Sequence, residues 1–108
     1  MPDNSPHALH LIVELYAGEY GLEGLDAFER EVLPIIQNHG GKLLHALRPE
    51  AHGDNGIPDE IHHLVFPDEQ AFDNYCSDPR TNALTERRRQ IIAHSRILRI
   101  SHCIDYTT

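Results

Sequence analysis

The first residues alternate in polarity. Leu9, Leu11, Val13 and Leu15 fall on one side of an extended chain, and His10, Ile12, Glu14 and Tyr16 on the other. A period of two predicts a β-strand over residues 7–17 with one apolar and one mixed face. The glycine-containing stretch 18–24 reads as a loop. From residue 25 the period changes. Leu25, Phe28, Val32 and Ile35 or Ile36 recur at helical spacing, leaving Asp26, Glu29, Arg30 and Glu31 for water, which predicts a helix over 25–39. Pro34 lies inside it without the backbone donor a helix interior uses, so a kink or an end to the regular part is expected there. Gly40-Gly41 supplies the positive φ that often closes a helix.

Residues 42–48 form a second strand, Leu43, His45 and Leu47 alternating against Leu44, Ala46 and Arg48; either set can be the inward one. Residues 49–59 hold two Pro, two Gly, an Asn and two Asp, a loop by composition. Residues 60–66 are a third strand, joined to the second as a long-looped hairpin. Asp68 is placed to cap a helix whose apolar side is Ala71, Phe72, Tyr75 and Cys76. Asp78-Pro79 marks a break and a restart, with a second helical segment over 80–94 anchored by Leu84, Ile91 and Ile92. Residues 96–104 form the fourth strand, with Leu98 and Ile100 expected to face the helices. Residues 1–108 are thus one domain, with 1–6 and 105–108 as loose tails.

The order β-α-β-β-α-β, with right-handed crossovers, predicts an α+β ferredoxin-like plait: a four-stranded antiparallel sheet with the helices on one face. The other face is uncovered and is expected to carry Ile12, Tyr16, Val65 and Ile97 among polar groups. A small monomer rarely leaves such a face in water. Two copies packed face to face around a two-fold axis remove it, which predicts a homodimer whose eight strands enclose a chamber able to hold one small ligand.

Composition narrows the partners. The formal net charge of −8 argues against nucleic acid and against an anionic membrane surface. The one basic run, Arg87-Arg88-Arg89, lies inside a helical pattern, where a solvated face is the plainer expectation. No stretch is long and apolar enough to span a membrane, and residues 1–6 carry no apolar signal-peptide region. Two cysteines, Cys76 and Cys103, have neither C-x-x-C nor zinc spacing, which fits a reduced, cytoplasmic protein.

Several stretches resemble the dimeric α/β-barrel superfamily. They are His39-Gly40-Gly41-Lys42-Leu43-Leu44, the strand 61–66 running into Pro67-Asp68-Glu69-Gln70-Ala71-Phe72, and Tyr75 followed by Ser77-Asp78-Pro79. Together they cover roughly residues 8–102. Within it, the sequence is most similar to a group of unassigned function with a GG before strand two, an FPS-x-x-x-A turn into helix two, a Y-x-S-P and a later arginine. Asp68 stands where that group has Ser, and Asp78 intervenes between Ser77 and Pro79. Arg87 or Arg88 matches the arginine. The resemblance implies the plait and the dimer. It spans cofactor-independent monooxygenases, muconolactone-type isomerases, haem-using enzymes and proteins without known activity, and so leaves the chemistry open.

Nine histidines in 108 residues are the loudest chemical signal. Alternation puts His10, Glu14 and Tyr16 of strand one, His63 of strand three, and Ile97, Arg99 and Ser101 of strand four in the chamber. His63 and His10 are then candidate bases with Glu14 orienting an imidazole, while Tyr16 and Arg99 are candidate substrate-binding groups. The same residues equally suit polar contacts across a dimer seam that catalyses nothing. No metal site is expected, because His7-x-x-His10 and His62-His63 lack ligand spacing. No cofactor is expected either: there is no G-x-G-x-x-G or P-loop, and the chain leaves little room for haem. No Ser-His-Asp order appears, and Cys76 reads as a small buried hydrophobe rather than a nucleophile. The expected function is binding of a small carbonyl- or carboxylate-bearing molecule, with cofactor-independent oxygenation or isomerisation if the protein is an enzyme. The alternative is a non-catalytic binding or structural dimer.

Overall fold

The computed structural model describes residues 5–51 and 56–107. Its elements run β1 (Leu9–Ala17), α1 (Gly21–Asn38), β2 (Lys42–Leu47), β3 (Glu60–Phe66), α2 (Glu69–Ser77), α3 (Pro79–Ala83), α4 (Thr85–Ile91) and β4 (Ile92–Ile100). The strands form one antiparallel sheet in the order β2-β3-β1-β4. Each crossover therefore skips one strand, and the fold is the expected ferredoxin-like α+β plait. Part of the predicted 49–59 loop, residues 52–55, lies outside the described residues.

The core forms where β1 meets α1. Leu11, Val13 and Leu15 project from β1 onto Leu25, Phe28, Val32 and Ile36 of α1, joined by Leu64 and Phe66 of β3 and Ile91 and Ile92 beyond them. Leu25, Leu11 and Phe66 are the largest fully buried side chains. At roughly 1.5–3 kcal/mol for each large apolar side chain buried, this layer dominates the stability of the domain.

The turns follow from their residues. Asp68 accepts a hydrogen bond from the Ala71 N–H at 2.8 Å, and Asp78 does the same for Arg80 at 2.8 Å, so both predicted caps form. His39 Nε2 also lies 2.8 Å from Asp78 Oδ2, tying the end of α1 to the α2–α3 break. Arg80 and then His39 hold the Asp78 carboxyl well below the usual carboxylate range. Gly40 has φ +79°, and the Gly41 N–H donates to Ile36 O at 2.9 Å. A Cβ on Gly41 would sit 2.5 Å from Ile36 Cγ2 and 2.8 Å from Phe66 Cε1. The paired glycines thus let β2 leave α1 hard against the core.

Four expectations are corrected. α1 begins at Gly21, inside the stretch read as a loop, and continues past Pro34 to Asn38. The 80–94 segment is broken at Leu84 into two short helices, and β4 starts at Ile92, so His94 lies on a strand. β2 is bulged: Leu43 pairs with Leu64 but His45 with His63, which leaves Leu44 as the extra residue. Most consequential is β4. It pairs Leu11 with Arg99 and Val13 with Ile97, so Ile97 and Arg99 face the helices, while Leu98 and Ile100 pair with Ile12 and His10 on the open face. The expectation took the apolar pair Leu98 and Ile100 as inward, and a bulge near the start of β4 sets the opposite alternation. Tyr16 pairs with His94 and Ala17 with Ile92, so one extra residue separates Ile92 from the rest of its strand and reverses its alternation.

Gly41→Ala is expected to destabilise the domain by about 1–3 kcal/mol, since the new methyl meets side chains already in the core. Urea unfolding measures this, and an unchanged midpoint would contradict the packing described.

Candidate functional site

The two faces of the sheet carry different chemistry. On the open face, β1 presents His10, Ile12, Glu14 and Tyr16, and β3 presents Ile61, His63 and Val65. His10 Nδ1 lies 3.0 Å from His63 Nε2, and the His45 ring is 6.4 Å from that of His63. Four of the five predicted site residues, His10, Glu14, Tyr16 and His63, therefore share a face. Their pairings differ from those expected. Ile12, not Glu14, is opposite His63, and Glu14 takes Arg96 as its ion-pair partner at 3.2 Å. Tyr16 donates its hydroxyl to Gly56 O at 3.0 Å and packs against His94. Among the described residues no three His, Cys, Asp or Glu side chains converge as a metal-holding group.

Arg99 is not on this face. It projects to the helix side, forms an ion pair with Glu69 and lies over the Phe72 ring at 5.8 Å. The expectation of Arg99 in a chamber with His63 is corrected by the reversed alternation of β4.

The space able to hold a molecule also lies on the helix side. A cavity of about 270 Å³ opens between the sheet and helices α1–α4. Leu11, Val13, Leu64 and Phe66 form its floor; Phe28, Val32 and Ile36 of α1 form one wall; Phe72, Tyr75 and Leu84 form another. Cys76, Asn82, Thr85, Arg88 and Ile97 line it and are exposed, which places its opening beside α3, α4 and β4. Ile97 remains 50% exposed there. Cys76 is accordingly a rim residue rather than the buried hydrophobe expected. Partial burial, and then Asp73, push its thiol up, away from a reactive thiolate.

Polar groups interrupt this apolar lining at a few points. His62, buried, lies between two carboxylates. Its Nε2 contacts Glu60 Oε2, and its Nδ1 is 3.9 Å from Glu29 Oε2. Glu60 is itself buried and accepts a hydrogen bond from Arg48 Nε at 2.8 Å; Arg48 also pairs with Asp26. Burial pushes the Glu29 carboxyl above the usual range, against the lowering pull of His62 and, last, Arg88. Burial likewise pushes the Tyr75 hydroxyl up to about 12, so it remains a hydrogen-bond donor. On α3 the Thr81 hydroxyl is buried against the cavity and makes no hydrogen bond to any described residue. Arg88 lines the cavity and donates to Ser95 Oγ at 3.1 Å, while Arg87 pairs with Glu31 and Arg89 with Glu86. The basic run is therefore two solvated arginines and one that reaches the site.

Sequence reasoning placed His62 on the helix-facing side of β3 but not in a site, because an inward histidine next to Leu64 and Phe66 reads as core. Glu29 was assigned to solvent by helical spacing. The available signal was the pair Glu60 and His62 at positions i and i+2 of one strand, which puts both side chains on its buried face.

The chain's place among known proteins rests on structure. No family model and no curated protein matches the sequence. Solved structures do. A protein of unknown function from Rhodopseudomonas palustris superposes with TM-score 0.78 at 18% identity, over 94% of this chain and 86% of that one. A dabb family protein with a ferredoxin-like fold from Mesorhizobium loti gives 0.65 at 14%, over 87% and 95%. SnoaB, a cofactor-independent oxygenase from Streptomyces nogalater, gives 0.72 at 8%, over 94% and 99%. At these identities the likeness is one of fold, the ferredoxin-like α+β plait. No helix among the described residues is long and apolar enough to cross a membrane.

The raised Glu29 carboxyl makes a pH prediction. The folded state holds this proton more tightly than the unfolded chain does. Its contribution to stability is complete below the ordinary value of 4.5 and is lost as pH rises through the raised folded value. Glu29→Gln, which cannot ionise, is expected to raise the melting temperature relative to wild type at pH 8, with the gain shrinking as pH falls toward 4.5. A difference constant across that window, by calorimetry, would show that ionisation is not its source.

Proposed function

We propose that the chain is a small-molecule-binding protein of the dimeric α/β-barrel type that carries out cofactor-independent oxygenation of an apolar substrate held between sheet and helices. The observation that carries this reading is the cavity: about 270 Å³, with mostly apolar walls and a buried imidazole and a partly buried carboxyl set into them. Ligand pockets typically measure roughly 300–1,000 Å³, and this one, just below that range, suits a small ring-bearing molecule. The buried Thr81 hydroxyl supports the same reading, since a ligand oxygen would give it the partner that buried polar groups normally have.

Oxygenation without a cofactor needs a substrate that supplies its own electrons. Loss of a proton from an activated CH₂ or its enol gives an electron-rich anion. Dioxygen accepts electrons from it and forms a hydroperoxide. Loss of water then leaves C=O where CH₂ stood, with the second oxygen atom in the water. The protein has to bind the substrate, remove a proton and keep bulk water away. SnoaB is a cofactor-independent oxygenase on this same fold, which supports the reaction class by analogy.

The homodimer is the second element of the reading. The open sheet face carries Ile12, Ile61, Leu98 and Ile100, with Leu47 at its edge 58% exposed. Two such faces brought together would cover these residues. The His10–His63 contact, Glu14–Arg96 and Tyr16–His94 would then form a polar seam between the sheets.

Light scattering at micromolar concentration is expected to give twice the mass of one chain; the mass of a single chain would sink the dimer. 2-Naphthol is expected to bind, and Leu84→Trp, which fills the cavity, to weaken it by at least about tenfold, or ~1.4 kcal/mol, measured by naphthol fluorescence. Equal affinity in the variant would place binding elsewhere. Oxygen uptake with 2-tetralone, which has an activated CH₂, tests the reaction itself. Binding of this probe without uptake would argue for the non-catalytic alternative.

A further inference from the structure

His62 is a costly residue to bury. A buried imidazole with a carboxylate on each side is no ordinary core group. A packing role alone would be met by Leu or Phe, as at Leu64 and Phe66, the next inward positions of the same strand. The polar cluster is also asymmetric. Glu60 lies outside the cavity lining and is held from its far side by Arg48; Glu29 and His62 line the cavity. The Nε2 edge of the ring is thus fixed to an anchored carboxylate, and the Nδ1 edge is the one nearer Glu29, which lines the cavity.

We propose that His62 is the base of the helix-side cavity, with Glu60 as its positioning residue, and that the ligand is a small apolar acid bearing an ionisable phenol or enol hydroxyl. This rests on the cavity being the binding site.

The chemistry follows from the two ring nitrogens. With Nε2–H donating to Glu60, the tautomer leaves a lone pair on Nδ1. Glu29 Oε2 is 3.9 Å from Nδ1, beyond hydrogen-bond distance, so a ligand hydroxyl would approach Nδ1 from beside Glu29 rather than displace a bond between them. The O–H bond of the ligand breaks, its proton passes to Nδ1, and the electron pair stays on the ligand oxygen. The new imidazolium forms a neutral pair with Glu60. The anion on the ligand gains the guanidinium of Arg88 and the Tyr75 hydroxyl, both on the cavity wall. Electrons and charge balance without a further reactant. The mostly apolar walls explain the preference for a ring-bearing acid over a small hydrophilic one.

A dye that reports its own ionisation tests this. 4-Nitrophenol absorbs at different wavelengths as phenol and as phenolate, and equilibrium dialysis measures its binding separately. At a pH where the free dye is mostly neutral, dye bound to wild type is expected to show the phenolate band. His62→Gln is expected to bind the dye in its neutral form. Glu60→Gln is expected to bind it with the phenolate-to-phenol ratio reduced by about tenfold, the scale on which losing a group that orients a histidine is felt. Nitrogen-15 NMR of the free wild-type protein is expected to show His62 protonated at Nε2, and Glu60→Gln to lose that single tautomer. This spectrum decides the matter if His62→Gln fails to fold. Bound dye that stays neutral in wild type, an unchanged phenolate band in His62→Gln, or a free protein protonated at Nδ1 would each overturn the proposal while leaving the cavity as a binding site. Failure of wild type to bind the dye would overturn the cavity reading and the proposal with it.

Discussion

The packing of β1 under α1 is the contact on which the rest of the structure depends. β1 is flanked by β3 and β4, so its backbone is paired on both edges and its apolar side chains have only one direction in which to leave water. Leu11, Val13 and Leu15 meet Leu25, Phe28 and Val32 there. Once this contact exists, the two neighbours inherit their faces from β1 through register. The cavity lies along the same contact, where the short helices α2, α3 and α4 cover the sheet less closely than α1 does.

That incomplete cover has an energetic cost that the polar cluster increases. Glu60, His62 and Glu29 occupy positions that aliphatic side chains would fill more favourably. Buried charged groups often fail to repay their desolvation, and replacing them with well-packed apolar residues is commonly neutral or stabilising. Arg48 offsets part of this by neutralising Glu60, and the raised Glu29 carboxyl lessens the charge still buried. Such groups concentrate where chemistry requires them, which is the physical ground for seeking function on the helix side. The open face has the histidines that first attract notice, yet its polar groups are matched to one another: His10 with His63, Glu14 with Arg96, Tyr16 with His94.

Legibility differed between elements for identifiable reasons. β1 alternates along its length, and in β3 Phe66 at the entry to α2 marks the inward set, so their faces were read from the sequence, including His62 inward and His63 outward. The caps at Asp68 and Asp78 were read as well, because a local side-chain-to-backbone bond needs no tertiary knowledge. β2 and β4 each carry a bulge, and one inserted residue exchanges the two faces of everything beyond it. Arg99 was assigned to the wrong side of the sheet because the apolar Leu98 and Ile100 were expected to face the helices, whereas register with β1 turns them to the open face. Glu29 was missed because helical periodicity counts a charged residue as outward, whereas its neighbour across the domain is a buried histidine.

The sequence by itself determined the element order, the plait, the central strands' faces and the apolar layer between β1 and α1. Those follow from local periodicity, which is a property of neighbouring residues. Only the tertiary structure decided that the cavity lies between sheet and helices, that Arg99 lies on the helix side of the sheet rather than on the histidine face, and that Glu29, His62 and Glu60 meet. Each of these depends on register between strands distant in the chain and on how far short helices cover a sheet. Neither quantity is written in the spacing of any one segment.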